Sequence, residues 1–228
     1  MKHPKHKTIW NKSAAKEFGR QEQGVGGKES RVKPTNTIFF ITYDQVPMDR
    51  RKDVTYGSFS CDLKTNKNET HRTRLTAGRD KINYPDDVGT PTAAMTLVKT
   101  FFNSVISTKG AKCVMLDIKD FYLNTPMTRY EYMRLKLTDI PEEIIIEYKL
   151  REIVTTDGYV YCEIRKGMYG LPQAGIIAQQ LLEKRLAKLR YHQSKIIPGL
   201  WTHKTRNISF TLVVDDFAIK FSSRQFRD

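Results

Sequence analysis

Cysteine is scarce in this chain: Cys61, Cys113 and Cys162 stand far apart and form no Cys-x-x-Cys pair. That excludes a paired-cysteine zinc site and a disulfide scaffold, and it suits a reducing compartment. Long apolar runs are missing too. No window approaches about 18 uncharged apolar residues, so no transmembrane helix and no membrane partner are expected. The opening "MKHPKHKTIW" is basic but has no apolar segment behind it, which excludes a secretory signal and predicts an intracellular protein, cytoplasmic or nuclear. Acidic residues are also in deficit, with 25 Asp and Glu against 39 Lys and Arg, a net charge of +14. Such an excess points to a polyanionic partner, with nucleic acid ahead of an acidic membrane surface.

What is present suffices for a folded domain. The 228 residues are 39% apolar and 11% aromatic, enough to bury a core. Residues 1–37 are polar and rich in Lys, Gln and Gly, and read as a basic flexible segment. Their "QGVGGKES" is no phosphate loop, because Glu29 follows Lys28 and Glu22 occupies the required upstream glycine position. Ordered structure is expected to begin with a strand at "TIFFITY". Alternating residues 53–63 and the run "HRTRLTAG" predict a hairpin with a mobile basic tip, placing Arg72 and Arg74 on one strand face.

Residues 92–107 predict a core helix capped by Thr92, with Ala93, Leu97, Phe101 and Val105 recurring every four residues. A strand through residues 113–116 should end at Asp117. Further strands are expected at 130–137 and in a hairpin over 151–165 turning at Asp157-Gly158, with a short helix from Pro141 between them. A longer helix should run from Pro172 to about residue 191, with Ile177, Leu181, Leu182, Leu186 and Leu189 inward. The order predicts an α+β fold, an antiparallel sheet backed by helices.

Three carboxylates then stand out. "ISFTLVVDDFAIKFS" sets Asp215 and Asp216 between two apolar runs, and Asp117 also ends an apolar strand. Two adjacent aspartates alone usually mean a wet turn. If the two strands are neighbours, however, the carboxylates converge at one sheet edge, and their repulsion calls for cations. Magnesium is usually held by one or two carboxylates together with substrate phosphates. A pair of ions about 3.5–4 Å apart can promote phosphoryl transfer, in a nuclease as well as in a polymerase.

Three blocks together, "VMLDIKDFYLNTP", "KGMYGLPQAG" and "LVVDDFAIKF", resemble the reverse transcriptases of retroviruses and LTR retrotransposons. "RTRLTAG" is similar to the fingers of copia-type elements, and the likeness spans roughly residues 38–222. It implies a right-hand polymerase palm with a fingers hairpin: fingers over 38–110, with insertions at about 140–165, palm over 111–228, and a chain that stops before the thumb. By this resemblance Asp117, Asp215 and Asp216 are catalytic. Asp117 and Asp215 would be the principal metal ligands, Asp216 the supporting one, and Ile118 would add its backbone carbonyl. Arg72, Arg74, Tyr122 and Gln173 would bind the nucleotide, with Tyr122 as an aromatic gate against a 2′-hydroxyl.

The implied cofactors are two Mg2+ ions, or Mn2+ in their place. The implied substrates are an RNA/DNA primer–template and deoxynucleoside triphosphates, and whether another chain supplies a thumb or RNase H is left open by the sequence. Val213 stands where the family usually has an aromatic residue. A non-catalytic, nucleic-acid-binding remnant of such a polymerase is the alternative. A two-metal nuclease explains the acids but not "YGLPQAG" or "RTRLTAG".

Overall fold

The structure, a computed structural model, describes residues 7–65 and 70–222. The expected basic hairpin tip falls partly on residues 66–69 and to that extent lies outside the described residues. The fold is α+β and is built on two five-stranded sheets rather than the single sheet expected. The chain divides into two compact units, Met1–Asp86 with Tyr122–Ala174, and Asp87–Phe121 with Gly175–Asp228. The expected division near residue 110 therefore falls inside the second unit. No described helix is long and apolar enough to cross a membrane.

The first unit contains α1 (Lys7–Gln21), β1 (Ile38–Ile41), β2 (Thr55–Leu63), β3 (His71–Ala77), and later in the chain β5 (Pro126–Lys136), α3 (Glu142–Glu147) and β6 (Tyr159–Lys166). Its sheet runs β1-β6-β5-β2-β3, with only β2 and β5 parallel. Ile38, Leu75, Leu123, Met133, Ile144, Leu150, Ile164 and Met168 are fully buried and fix its core.

Helix α1 corrects the flexible reading of the N-terminal segment. Ala14, Ala15 and Phe18 are buried. A polar stripe four residues apart, Ser13, Glu17 and Gln21, bonds the free edge of β3. Ser13 Oγ donates to the His71 carbonyl at 3.1 Å and accepts from Thr73 N–H at 2.9 Å. Glu17 Oε1 accepts from Leu75 N–H at 3.3 Å, and Gln21 Nε2 donates to the Leu75 carbonyl at 3.2 Å. The helix thus saturates a strand edge that would otherwise invite pairing.

The expected hairpin over 151–165 is also corrected. Only its second half is a strand, β6, which pairs with β1 and β5. Residues 150–152 form a single 3-10 turn, and Gly158 takes φ +82° to redirect the chain.

The second unit contains α2 (Met95–Ser107), β4 (Ala111–Asp117), α4 (Ala174–Lys188, entering from Ala174), β7 (Tyr191–Gln193), β8 (Leu200–His203), β9 (Ile208–Val213) and β10 (Asp216–Ser222). Its sheet runs β4-β10-β9-β8-β7, antiparallel throughout. Trp201 stacks on Phe210 at 5.7 Å, and Leu212 is buried beside them.

Helix α2 starts later than expected. Ala94, not Thr92, is its N-cap, and no side chain caps it. Its inward face is the expected one in part: Ala93 and Phe101 are buried and Leu97, Val98, Phe102 and Val105 are half-buried, while Met95 and Ile106, outside that face, are exposed. Leu182 faces inward on α4 as expected, but Leu189 lies beyond the helix and is exposed.

Candidate active site

Strand β10 is shared between β9 and β4, so the "DDF" hairpin lies directly beside the strand ending in Asp117. Asp216 and Asp117 are cross-strand partners. Directly opposed residues of an antiparallel pair point to the same sheet face, with Cβ atoms about 4.5–5.5 Å apart. Both are exposed, and neither makes an ion pair among the described residues. Two carboxylates placed this way repel each other and favour a shared cation.

The turn is offset by one residue from the aspartate pair. Val213 and Asp216 are partners, so Val214 and Asp215 form the two-residue connection, and Asp216 belongs to the strand. Val214 has φ +60°. Two-residue hairpin turns demand a positive φ at this first position, which normally falls to Gly or Asn. For a β-branched residue the cost is on the order of 1–3 kcal/mol, and such strain concentrates at functional sites. Ile118 N–H donates to the Asp215 carbonyl at 3.1 Å. That bond extends the β4–β10 pairing by one step and fixes Asp215 against the Asp117–Ile118 backbone.

Asp117, Ile118, Asp215 and Asp216 are therefore gathered at one end of one sheet. Their oxygens match the hard-donor chemistry of Mg2+, with substrate phosphates completing the shell. Among the described residues, no three His, Cys, Asp or Glu side chains form a ready-made metal cage. The fit is to a cation held partly by substrate.

The expected nucleotide-binding residues all lie in the first unit. Arg72 and Arg74 alternate with buried Thr73 and Leu75 on β3, as the hairpin pattern required. Arg72 pairs across the strands with Asp62, whereas the Arg74 guanidinium lies 5.3 Å over the ring of Tyr169. Tyr122 meets the same ring edge-on, with centroids 5.7 Å apart.

The loop carrying Tyr169 is pinned to the end of β3. Ala77 N–H donates to the Tyr169 carbonyl at 2.8 Å, and Gly170 takes φ +94°. A Cβ on Gly170 would fall 1.9 Å from the Ala77 carbonyl oxygen, so only glycine permits this approach.

Gln173 departs from expectation. It is fully buried, and its Nε2 donates to Glu131 Oε1 at 3.0 Å. Glu131 is itself fully buried and accepts from Arg50 Nη2 at 2.5 Å, with Arg129 Nε at 3.7 Å. Burial raises the Glu131 pKa, and the two arginines oppose that rise. Gln173 thus anchors a buried polar network here rather than presenting its amide to a nucleotide.

Tyr169, Glu131 and Arg50 were missed from sequence. Tyr169 sat inside a quoted motif, but only the fold places its ring between Arg74 and Tyr122. Glu131 and Arg50 are 81 residues apart, and no local pattern joins them. No protein-family model matches this chain, and no curated protein matches it.

Proposed function

We propose that the chain carries the fingers and palm of a reverse transcriptase, an RNA-directed DNA polymerase acting by two-metal nucleotidyl transfer. The observation that carries this reading is the β4–β10–β9 arrangement, with Asp117 opposite Asp216 and Asp215 held in a strained turn against Ile118. The order of the three sequence blocks and the charge of +14 support it.

In this reading Asp117 and Asp215 would hold Mg2+ as the resemblance implies, with Asp216, the expected supporting ligand, set directly opposite Asp117 by the strand register, and the Ile118 carbonyl assisting. Bound magnesium supplies charge neutralisation at the attacking and leaving oxygens. The chain's own groups do the rest. The carboxylates fix the positions where positive charge is held, and the hairpin strands keep them aimed. Arg74 and Arg72 offset phosphate charge, as planar guanidinium groups do well. Tyr122 walls the sugar side.

A second reading has its own observation. Gln173 buried against Glu131 favours a protein that binds nucleic acid without polymerising. Purified protein with an RNA template, a DNA primer, Mg2+ and deoxynucleoside triphosphates separates the two. Primer extension supports the polymerase. Binding that weakens steeply with salt, with no extension, supports the second reading.

A further inference from the structure

Tyr169 is a half-buried aromatic that the sequence motifs left without a task, yet two residues read as nucleotide-binding converge on it. The Arg74 guanidinium lies 5.3 Å over its ring, and the Tyr122 ring meets it edge-on at 5.7 Å. Arginine–aromatic stacking is common in this protein, so stacking alone says little. Arg165 lies 3.9 Å over Phe39 and Arg51 4.5 Å over Tyr43. Those two arginines each spend Nε internally: Arg165 Nε bonds Glu163 at 2.6 Å, and Arg51 Nε bonds the Val46 carbonyl at 3.3 Å. Arg74 differs, because its Nε is buried and meets no acceptor. A buried N–H without a partner is costly, and no hydrogen bond or ion pair among the described residues uses the Arg74 side chain, so its terminal N–H groups remain for an oxyanion. The Tyr169 backbone is equally fixed, through Ala77 N–H and the close approach at Gly170.

We propose that Tyr169 is a positioning residue of a nucleoside triphosphate site, its ring stacking the face of the Arg74 guanidinium so that in-plane N–H donors are held for phosphate, and setting the Tyr122 wall against the sugar. This rests on the polymerase reading for its reaction, but the recognition it describes is separable. The ring, not the hydroxyl, carries the effect, so phenylalanine should suffice. Leucine preserves apolar volume while removing the π face that attracts the guanidinium.

The test compares wild type with Tyr169→Phe, Tyr169→Leu and Arg74→Ala in single-nucleotide primer extension. Tyr169→Leu should raise the deoxynucleotide KM by about fivefold, the scale of a partly desolvated cation–π contact. Its kcat should stay within about twofold, with weakened discrimination against ribonucleotides, since only ground-state positioning is lost. Tyr169→Phe should match wild type. An unchanged KM and sugar discrimination in Tyr169→Leu, or equal damage in Tyr169→Phe, would overturn the proposal.

Equilibrium binding of a fluorescent deoxynucleoside triphosphate, read by anisotropy, separates the two claims. If wild type extends no primer but binds this probe, and Tyr169→Leu and Arg74→Ala weaken it while Tyr169→Phe does not, the polymerase reading fails and the proposal stands. Equal binding by all four proteins, or none by wild type, overturns it.

Discussion

Replacing Asp117 by Asn should slow primer extension by about a thousandfold and at the same time make the metal-free protein more stable. The two effects have one cause. Asp117 and Asp216 are directly opposed across β4 and β10, on the same face and with no ion pair among the described residues. Without a cation they repel, and removing one charge should relieve on the order of 0.2–1 kcal/mol. Activity should move the other way, because the carboxylate then cannot hold charge where it develops. A loss of about a thousandfold is the scale for removing one preorganised electrostatic contact. Thermal melting in a chelator, alongside extension with Mg2+, reads both. Added Mg2+ should stabilise the wild type more than the variant, since a ligand stabilises only the state that binds it. A purely structural aspartate would lose stability and activity together.

Glu22 should make the fold weaken as pH rises, and Glu22→Met should remove that dependence. Glu22 is fully buried in the first unit, and neither carboxyl oxygen reaches a donor in hydrogen-bonding geometry. The Gln23 side chain nearby lowers its pKa only in part. Burial wins and pushes the pKa well above the ordinary glutamate range. The folded state therefore holds the proton more tightly than the unfolded chain. Stability is full below about 4.5 and falls as pH rises through the folded pKa, by up to about 1.4 kcal/mol per pH unit. Methionine is neutral and of similar length, so the variant should exceed wild type at pH 8 and converge with it near pH 4.5. Denaturant midpoints across that range read the difference. Nearby Tyr148, raised to about 12, and Cys162, raised by its own burial, titrate above this window.

The parts of the fold legible in the sequence were those whose signal is local. The β8–β9–β10 region, the β2–β3 hairpin and the helix after Pro141 each carry their own alternation, turn or start signal. The two aspartate blocks were legible because each ends an apolar strand, and the pairing of β4 with β10 then follows from sheet assembly. Helix α1 was not legible, because its inward stripe is polar. Ser13, Glu17 and Gln21 satisfy the backbone of a strand about 60 residues away, and a polar stripe ordinarily faces water. Helix α2 keeps its expected inward face, with Ala93 and Phe101 buried and Leu97 and Val105 half-buried, but its start was not legible, because no side chain caps it. Gln173 carried a motif role that its environment redirects. Whether an amide faces a cavity or a buried carboxylate depends on Glu131, Arg50 and Arg129, which come from elsewhere in the chain.

The assignment of chemistry to the carboxylate edge is tested most directly by single-nucleotide incorporation with wild type and Asp215→Ala. Both are run on one RNA-templated primer over a range of Mg2+ concentrations, with primer–template binding measured in parallel. The account predicts incorporation by wild type, none by Asp215→Ala at any Mg2+ concentration, and equal binding of the primer–template by both. Equal incorporation by the two proteins would contradict it.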